Sequence, residues 1–218
     1  MKQIIKKHPI AIRWFHWLNF PILGLMIWSG LMIYWANGVY RIGWGDVTIL
    51  KFFPKSFYEA LALKSKLADG MATHFVLMWL FAINGALYVL YTWLSGEWRY
   101  LVPTKNALKE AKQVILHDLG LSKTPLPIKK YNAAQQIAYS MVVVMGLGSL
   151  LTGVAIYKPI QFGTLCWLIG GYETARIIHF ALTIGYVLFF TIHVVQVIKA
   201  GWNNFQSMVT GFEIKKTD

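Results

Sequence analysis

Residues 177–198 read IIHFALTIGYVLFFTIHVVQVI, a run of 22 residues without Asp, Glu, Lys or Arg. As a helix it reaches about 33 Å, enough to cross roughly 30 Å of hydrocarbon. A soluble helix of this length needs a polar face, and this run has none. Only two imidazoles interrupt it in earnest, His179 and His193. A separation of 14 residues brings them within about 40° of one another in facing and about 21 Å apart along the axis. One helix thus offers an imidazole to each of two depths on one face.

Three more charge-free runs lie outside this one: Trp14–Trp35, Gly70–Gly96 and Tyr131–Tyr157. Lipid offers no partner for backbone N–H and C=O, so each run must be helical. The expected fold is an all-α membrane protein, a bundle of four transmembrane helices forming one membrane domain over residues 1–218. Short interfacial helices are expected in the loops and tail. Thr48–Leu63 sets Phe52, Phe53, Phe57 and Leu61 among charges and reads as a segment on the membrane surface. Lys105–Leu119, with apolar residues at 108, 111, 115 and 119, reads as an amphipathic helix. Pro125 and Pro127 break the chain before the third run. The tail carries Trp202, Phe205, Met208 and Phe212 and reads as a last interfacial helix.

Composition agrees. Apolar residues make up 56% and charged residues 14%, against about 25% charged in a soluble domain. A disordered chain is excluded. The single cysteine, Cys166, forms no internal disulfide and builds no Cys-based zinc or iron–sulfur site. The net charge of +12 raises nucleic acid as a partner. The aromatics lie in the apolar runs and not among the basic residues, so the bilayer, with its anionic headgroups, is the expected partner and nucleic acid is not. The basic N-terminus lacks a small-residue cleavage site after its apolar run and reads as a retained first span. With both termini cytoplasmic, the inner side carries 14 Lys and Arg and the outer side 7, counting Lys64. The bias favours that orientation.

Four of the six histidines fall inside the runs: His16, His74, His179 and His193. An imidazole in a span is costly and marks a function, unless a hydroxyl on a neighbouring helix merely satisfies it. In the orientation above, His16 and His193 share the inner depth, and His74 and His179 the outer. Zinc, copper or non-haem iron would want more protein ligands than two. Haem brings four nitrogens of its own and needs only axial ligands. The pattern therefore predicts two b-type haems, ligated by the pairs His74/His179 and His16/His193. With both axial positions filled, the chemistry is electron transfer. A haem-free proton relay through the histidines is the competing reading. Gly30 and Gly85 fall on the histidine-bearing faces, where a missing side chain would admit a haem, although glycine is also common in membrane helices. Gly146 and Gly153, seven apart, predict close helix packing.

The run RWFHWLNFPILGLMIWSGLMIYW (13–35) resembles the first helix of the bacterial cytochrome b561 and nickel–iron hydrogenase cytochrome b family. KYNAAQQIAYSMVVVMGLGSLLTGVAIYKP (130–159) and ARIIHFALTIGYVLFFTIHVVQVI (175–198) resemble the third and fourth helices of formate dehydrogenase gamma subunits. With His74, the resemblance covers about residues 8–205. GEWRYLVPTKNALKEAKQVILHDLG (96–120) is similar to thiosulfate reductase-type cytochrome subunits and to those beside molybdopterin oxidoreductases. The resemblance implies a multi-pass diheme cytochrome b of a bacterial inner membrane. It would carry electrons between a periplasmic partner oxidoreductase (of molybdopterin, formate dehydrogenase or hydrogenase type) and the quinone pool. It would have no substrate-catalytic site of its own. The resemblance also implies that Tyr131, Asn132 and Gln135 help bind the quinone near the inner haem, with Gln196 close to His193. Asn132 alternatively caps the third helix. The competing function is a stand-alone superoxide:quinone oxidoreductase of cytochrome b561 type. His8 and His117 read as surface histidines, and Glu173 and Arg176 as interfacial residues available to a partner or a haem propionate.

Overall fold

In chain order the elements are strand β1 (Lys2–Lys6), helix α1 (Ile10–Tyr34), strands β2 (Arg41–Trp44) and β3 (Val47–Lys51), and helices α2 (Lys55–Ala60), α3 (Leu67–Ser95), α4 (Trp98–Leu101), α5 (Ala107–Asp118), α6 (Ala133–Tyr157), α7 (Gly163–Leu168), α8 (Tyr172–Ala200) and α9 (Trp202–Thr210), with strand β4 (Phe212–Lys216) last. This computed structural model describes residues 2–44, 46–63, 65–123 and 130–216. Lys64 and the expected break at Pro125 and Pro127 lie outside the described residues. Helices α1, α3, α6 and α8 are 25, 29, 25 and 29 residues long and apolar enough to cross a membrane. Helices α1, α3 and α8 start a few residues before their charge-free stretches and α8 also runs past its end, so Arg13, Asp69, Glu173 and Lys199 sit in terminal turns, while α6 stays within its own stretch. The all-α, four-span class expected from the sequence is the observed one.

The chain divides into two compact units, 14–84 and 1–13 with 85–218. In the first, α1 and α3 run antiparallel. A Cβ on Gly70 would come 2.7 Å from Met32 Cβ and 3.1 Å from the Ser29 carbonyl, so only glycine permits this approach. At the other end the buried Asn84 amide reaches the Phe15 carbonyl and Asn19 Oδ1 at 3.5 and 3.4 Å. The surface segment expected at 48–63 is instead divided. Its first residues form β3, paired antiparallel with β2, and the short α2 follows. The alternation in RIGW and VTILK around a Gly-Asp pair is a hairpin signal. The Tyr34 hydroxyl accepts the Tyr40 N–H at 2.6 Å and ties this segment to the end of α1.

In the second unit α6 and α8 pack antiparallel through small residues. Gly148 faces Leu182, Gly185 faces Met145, and Ala155 and Ala175 are fully buried with Cys166 of α7 between them. Helix α6 begins with a capping box. Asn132 Oδ1 accepts the Gln135 N–H at 2.9 Å, and Gln135 Oε1 accepts the Asn132 N–H at 3.0 Å. Helix α4 docks on the first turns of α6, where Gln136 and Ser140 donate to the Tyr100 and Leu101 carbonyls. Helix α5 packs on α6 through Ala107, Ala111 and Ala133. This corrects the expected apolar face of α5. Its buried residues are Ala107, Ala111 and Val114, while Leu108, Ile115 and Leu119 are exposed and suit the headgroup boundary.

Strands β1 and β4 pair antiparallel from Lys2↔Lys216 to Lys6↔Phe212. Lys7 closes this clasp with Glu213 and Asn204, both at 2.8 Å. The Arg13 guanidinium donates to the Val209 carbonyl. His8, expected on the surface, is only 8% exposed beneath the clasp. No local sequence signal announces this burial, because the covering strand comes from the far end of the chain. His117 is exposed, as expected.

Two outcomes follow from these contacts. Asn132→Ala removes the cap acceptor and should cost about 1 kcal/mol, lowering the thermal midpoint in detergent, while Asn132→Asp should retain it. Burial, chiefly, together with the neighbouring Lys7 and Lys130 charges, holds the His8 pKa down to about 4, against an ordinary 6.5. The unfolded chain therefore binds the extra proton first, and stability falls as pH drops from 6.5 towards about 4. Thermal melts across that window should show a smaller pH-dependent loss in His8→Gln than in the wild type.

Candidate functional site

His74 stands in the second turn of α3, half-buried. Its Nδ1 lies 2.9 Å from Ser29 Oγ on α1. Ser29 is fully buried, and its hydroxyl lies 2.8 Å from the Leu25 carbonyl one turn back. The next residue, Gly30, is the one whose added Cβ would stand 3.6 Å from His74 Cε1. Serine therefore binds the ring, and the glycine beside it gives the ring room. Gly30 faces this imidazole, which is a more specific role than the haem clearance expected of it.

The same arrangement recurs in the other unit. His179 Nδ1 lies 2.9 Å from Thr152 Oγ1 on α6. Thr152 is 3% exposed, with its hydroxyl 2.7 Å from the Gly148 carbonyl. Gly153 follows, and its added Cβ would meet His179 Cε1 at 3.4 Å. Gly146 and Gly153 are thus both contact glycines of the α6–α8 interface, as expected.

A hydroxyl that gives its hydrogen to the carbonyl one turn back selects the tautomer of the ring. Each hydroxyl has one hydrogen, and a carbonyl one turn back accepts it. The hydroxyl oxygen is then the acceptor, and the imidazole Nδ1–H donates to it. That tautomer carries its proton on Nδ1 and its metal-ligating lone pair on Nε2. A hydroxyl partner was the competing, purely structural reading of a span histidine. Here it satisfies one nitrogen and prepares the other. Among the described residues no group of three or more His, Cys, Asp and Glu forms a protein-only metal cage. The residues fit a group that brings its own equatorial donors and takes one imidazole nitrogen per ligand.

His193 lies 14 residues past His179, about 21 Å along α8. On α8, His193 stacks on Phe189, with ring centroids 5.7 Å apart and 10° between planes. The α6–α8 register pairs Gly153 with His179 and Gly146 with Tyr186. Continued along both helices, it brings His193 level with Ala138 and Tyr139 near the start of α6. In the unit 14–84, His16 lies next to Phe15, whose carbonyl meets Asn84. Asn84 is ten residues past His74 on α3, or about 15 Å along that helix. Each unit therefore carries one histidine near each end of its helices.

Tyr131, Asn132 and Gln135 gather at the start of α6. Tyr131 meets Tyr139 edge-on at 5.3 Å and lies over His8 at 6.5 Å. Lys130, paired with Glu97 at 2.6 Å, sits 5.7 Å over the Tyr131 ring. The capping box occupies the side-chain oxygens of Asn132 and Gln135. Both amide NH2 groups remain as donors, so capping and ligand binding do not compete. Gln196 is turned elsewhere, donating to Asp118 Oδ2 at 3.1 Å. Glu173 and Arg176 pair with each other at 3.0 Å. Ser29 and Thr152 are the functional residues that the sequence reading passed over. The available signal was a hydroxyl residue directly before a glycine in two charge-free runs.

A family model described as prokaryotic cytochrome b561 matches residues 7–211. A relative from Azospira oryzae, named "Putative protein-methionine-sulfoxide reductase subunit YedZ1", is 30% identical over 197 residues, which cover 90% of this chain and 92% of that protein.

Gly153→Val and Gly30→Val place methyl groups against the His179 and His74 rings. Each should lower the metal-bound fraction of that imidazole by about tenfold or more, read as haem lost per chain in the purified protein. Gly24→Ala, which meets nothing within 4 Å, is the control and should lose none.

Proposed function

The chain belongs to the prokaryotic cytochrome b561 family, and we propose that it is the diheme membrane subunit that carries electrons between a partner oxidoreductase and the quinone pool. As a member it is a membrane electron-transfer protein of a b-haem-binding family. The observation that carries the fuller reading is the repeated hydroxyl–imidazole–glycine contact at His74 and His179. It favours the tautomer with its ligating lone pair on Nε2, the one a haem-binding histidine requires. Bound haem supplies a one-electron ferric–ferrous couple. His16, His74, His179 and His193 would hold two such groups. Depth along the spans, read from the sequence, motivates the pairs His74/His179 and His16/His193.

The quinone reading places the exchangeable substrate at the start of α6. A quinone carbonyl needs donors, and the capping box leaves the Asn132 and Gln135 amides to donate. Tyr131 and Tyr139 add aromatic surface there. The loop bias in Lys and Arg supports cytoplasmic termini, which puts this site at the inner face of a bacterial membrane and the partner outside. The name of the Azospira relative supports a partner that reduces oxidised methionine, and the 96–120 segment supports a molybdopterin enzyme.

Extraction should yield two haems per chain, and one or none would sink the diheme reading. His74→Ala and His179→Ala should remove one spectral component, and His16→Ala and His193→Ala the other, as read by redox titration. Asn132→Asp with Gln135→Glu keeps the oxygens that cap α6 and removes both donor amides. With a lost hydrogen bond costing about 1–3 kcal/mol, affinity for a quinone analogue should fall roughly five- to a hundredfold while the haem spectrum stays unchanged. Unaltered quinone kinetics in the haem-loaded double variant would move the site to the other end of the spans.

A further inference from the structure

We infer that Ser29 and Thr152 are positioning residues that set the tautomer and the redox potential of the haem iron bound through His74 and His179. The inference rests on the ligand reading above and adds two residues to it. The contact occurs twice, on different helices, with the same parts in the same order. A hydroxyl is anchored to a carbonyl one turn back, at 2.8 Å for Ser29 and 2.7 Å for Thr152. Its oxygen then lies 2.9 Å from a histidine Nδ1 in both cases. The residue after it is a glycine that faces the same ring at Cε1. Both hydroxyls are buried, Ser29 fully and Thr152 to 3% exposure, so water does not compete for them.

Packing alone does not require a hydroxyl here. Alanine or valine would fill the same volume without a polar atom. The hydroxyl does two things for the ring. It takes the Nδ1 proton in a hydrogen bond, which excludes the tautomer that would block Nε2. It also draws that proton partly away, which makes Nε2 more basic and favours ferric over ferrous iron. The anchored hydroxyl cannot turn to donate to the ring without giving up its carbonyl, so the direction of the bond is fixed.

The test uses the haem-loaded full chain and its Ser29→Ala and Thr152→Val variants, which preserve volume. Redox titration should show the haem component that depends on His74 or His179 shifted to a higher midpoint. The expected change in ferric preference is about tenfold, which is about 59 mV for a one-electron couple. Ser29→Thr and Thr152→Ser should restore the wild-type midpoint. Haem loss in the alanine and valine variants with retention in the hydroxyl swaps would equally support the inference. Unmoved midpoints in loaded Ser29→Ala and Thr152→Val overturn it, as does haem loss in all four variants. If His74→Ala and His179→Ala keep every haem, the ligand reading itself has failed, a result distinct from either.

Discussion

Hydrocarbon offers no hydrogen-bond partner, so every polar atom in a membrane span must find one within the protein or on what the protein binds. The helices follow from this directly, because a helix satisfies its own backbone. The constraint then acts on the few polar side chains left in the spans. Ser29 and Thr152 return their hydrogens to their own helices. Their oxygens can still accept, and each lies 2.9 Å from the Nδ1 of His74 or His179.

Close approach makes those bonds possible. Without a hydrophobic drive between helices in lipid, packing depends on small residues that let backbones near one another. Gly30 and Gly153 face the two rings, and the fully buried Ala155 and Ala175 hold α6 and α8 together nearby.

The ends of the spans obey a different rule, because water and headgroups are near. There, charges pair and helices need caps. The Asn132–Gln135 box starts α6, Lys130 pairs with Glu97, and Lys7 pairs with Glu213. The capping oxygens are engaged in the box while the amide nitrogens remain as donors. His8 is neutral at ordinary pH because burial and two nearby lysines disfavour its charge. Its ring lies against Tyr131, so the clasp of the two terminal strands also shapes the surface beside the amides.

The sequence by itself determined the four spans, the spacing of the two histidines on α8 and the start of α6. Each of these is local. A charge-free run, a spacing of 14 on one helix and an Asn three residues before a Gln are all legible without knowing what lies across from them. The contacts between elements were decided only by tertiary structure. Nothing near Ser29 says that it meets His74, 45 residues on, and nothing near Lys2–Lys6 says that it pairs with Phe212–Lys216. The apolar face of α5 was misread for the same reason: of the expected stripe 108–111–115–119 only Ala111 is buried, beside Ala107 and Val114, because docking on α6 selects that face. A hydrogen bond or a packed face depends on two segments at once, so the physical reason for it is divided between distant parts of the chain.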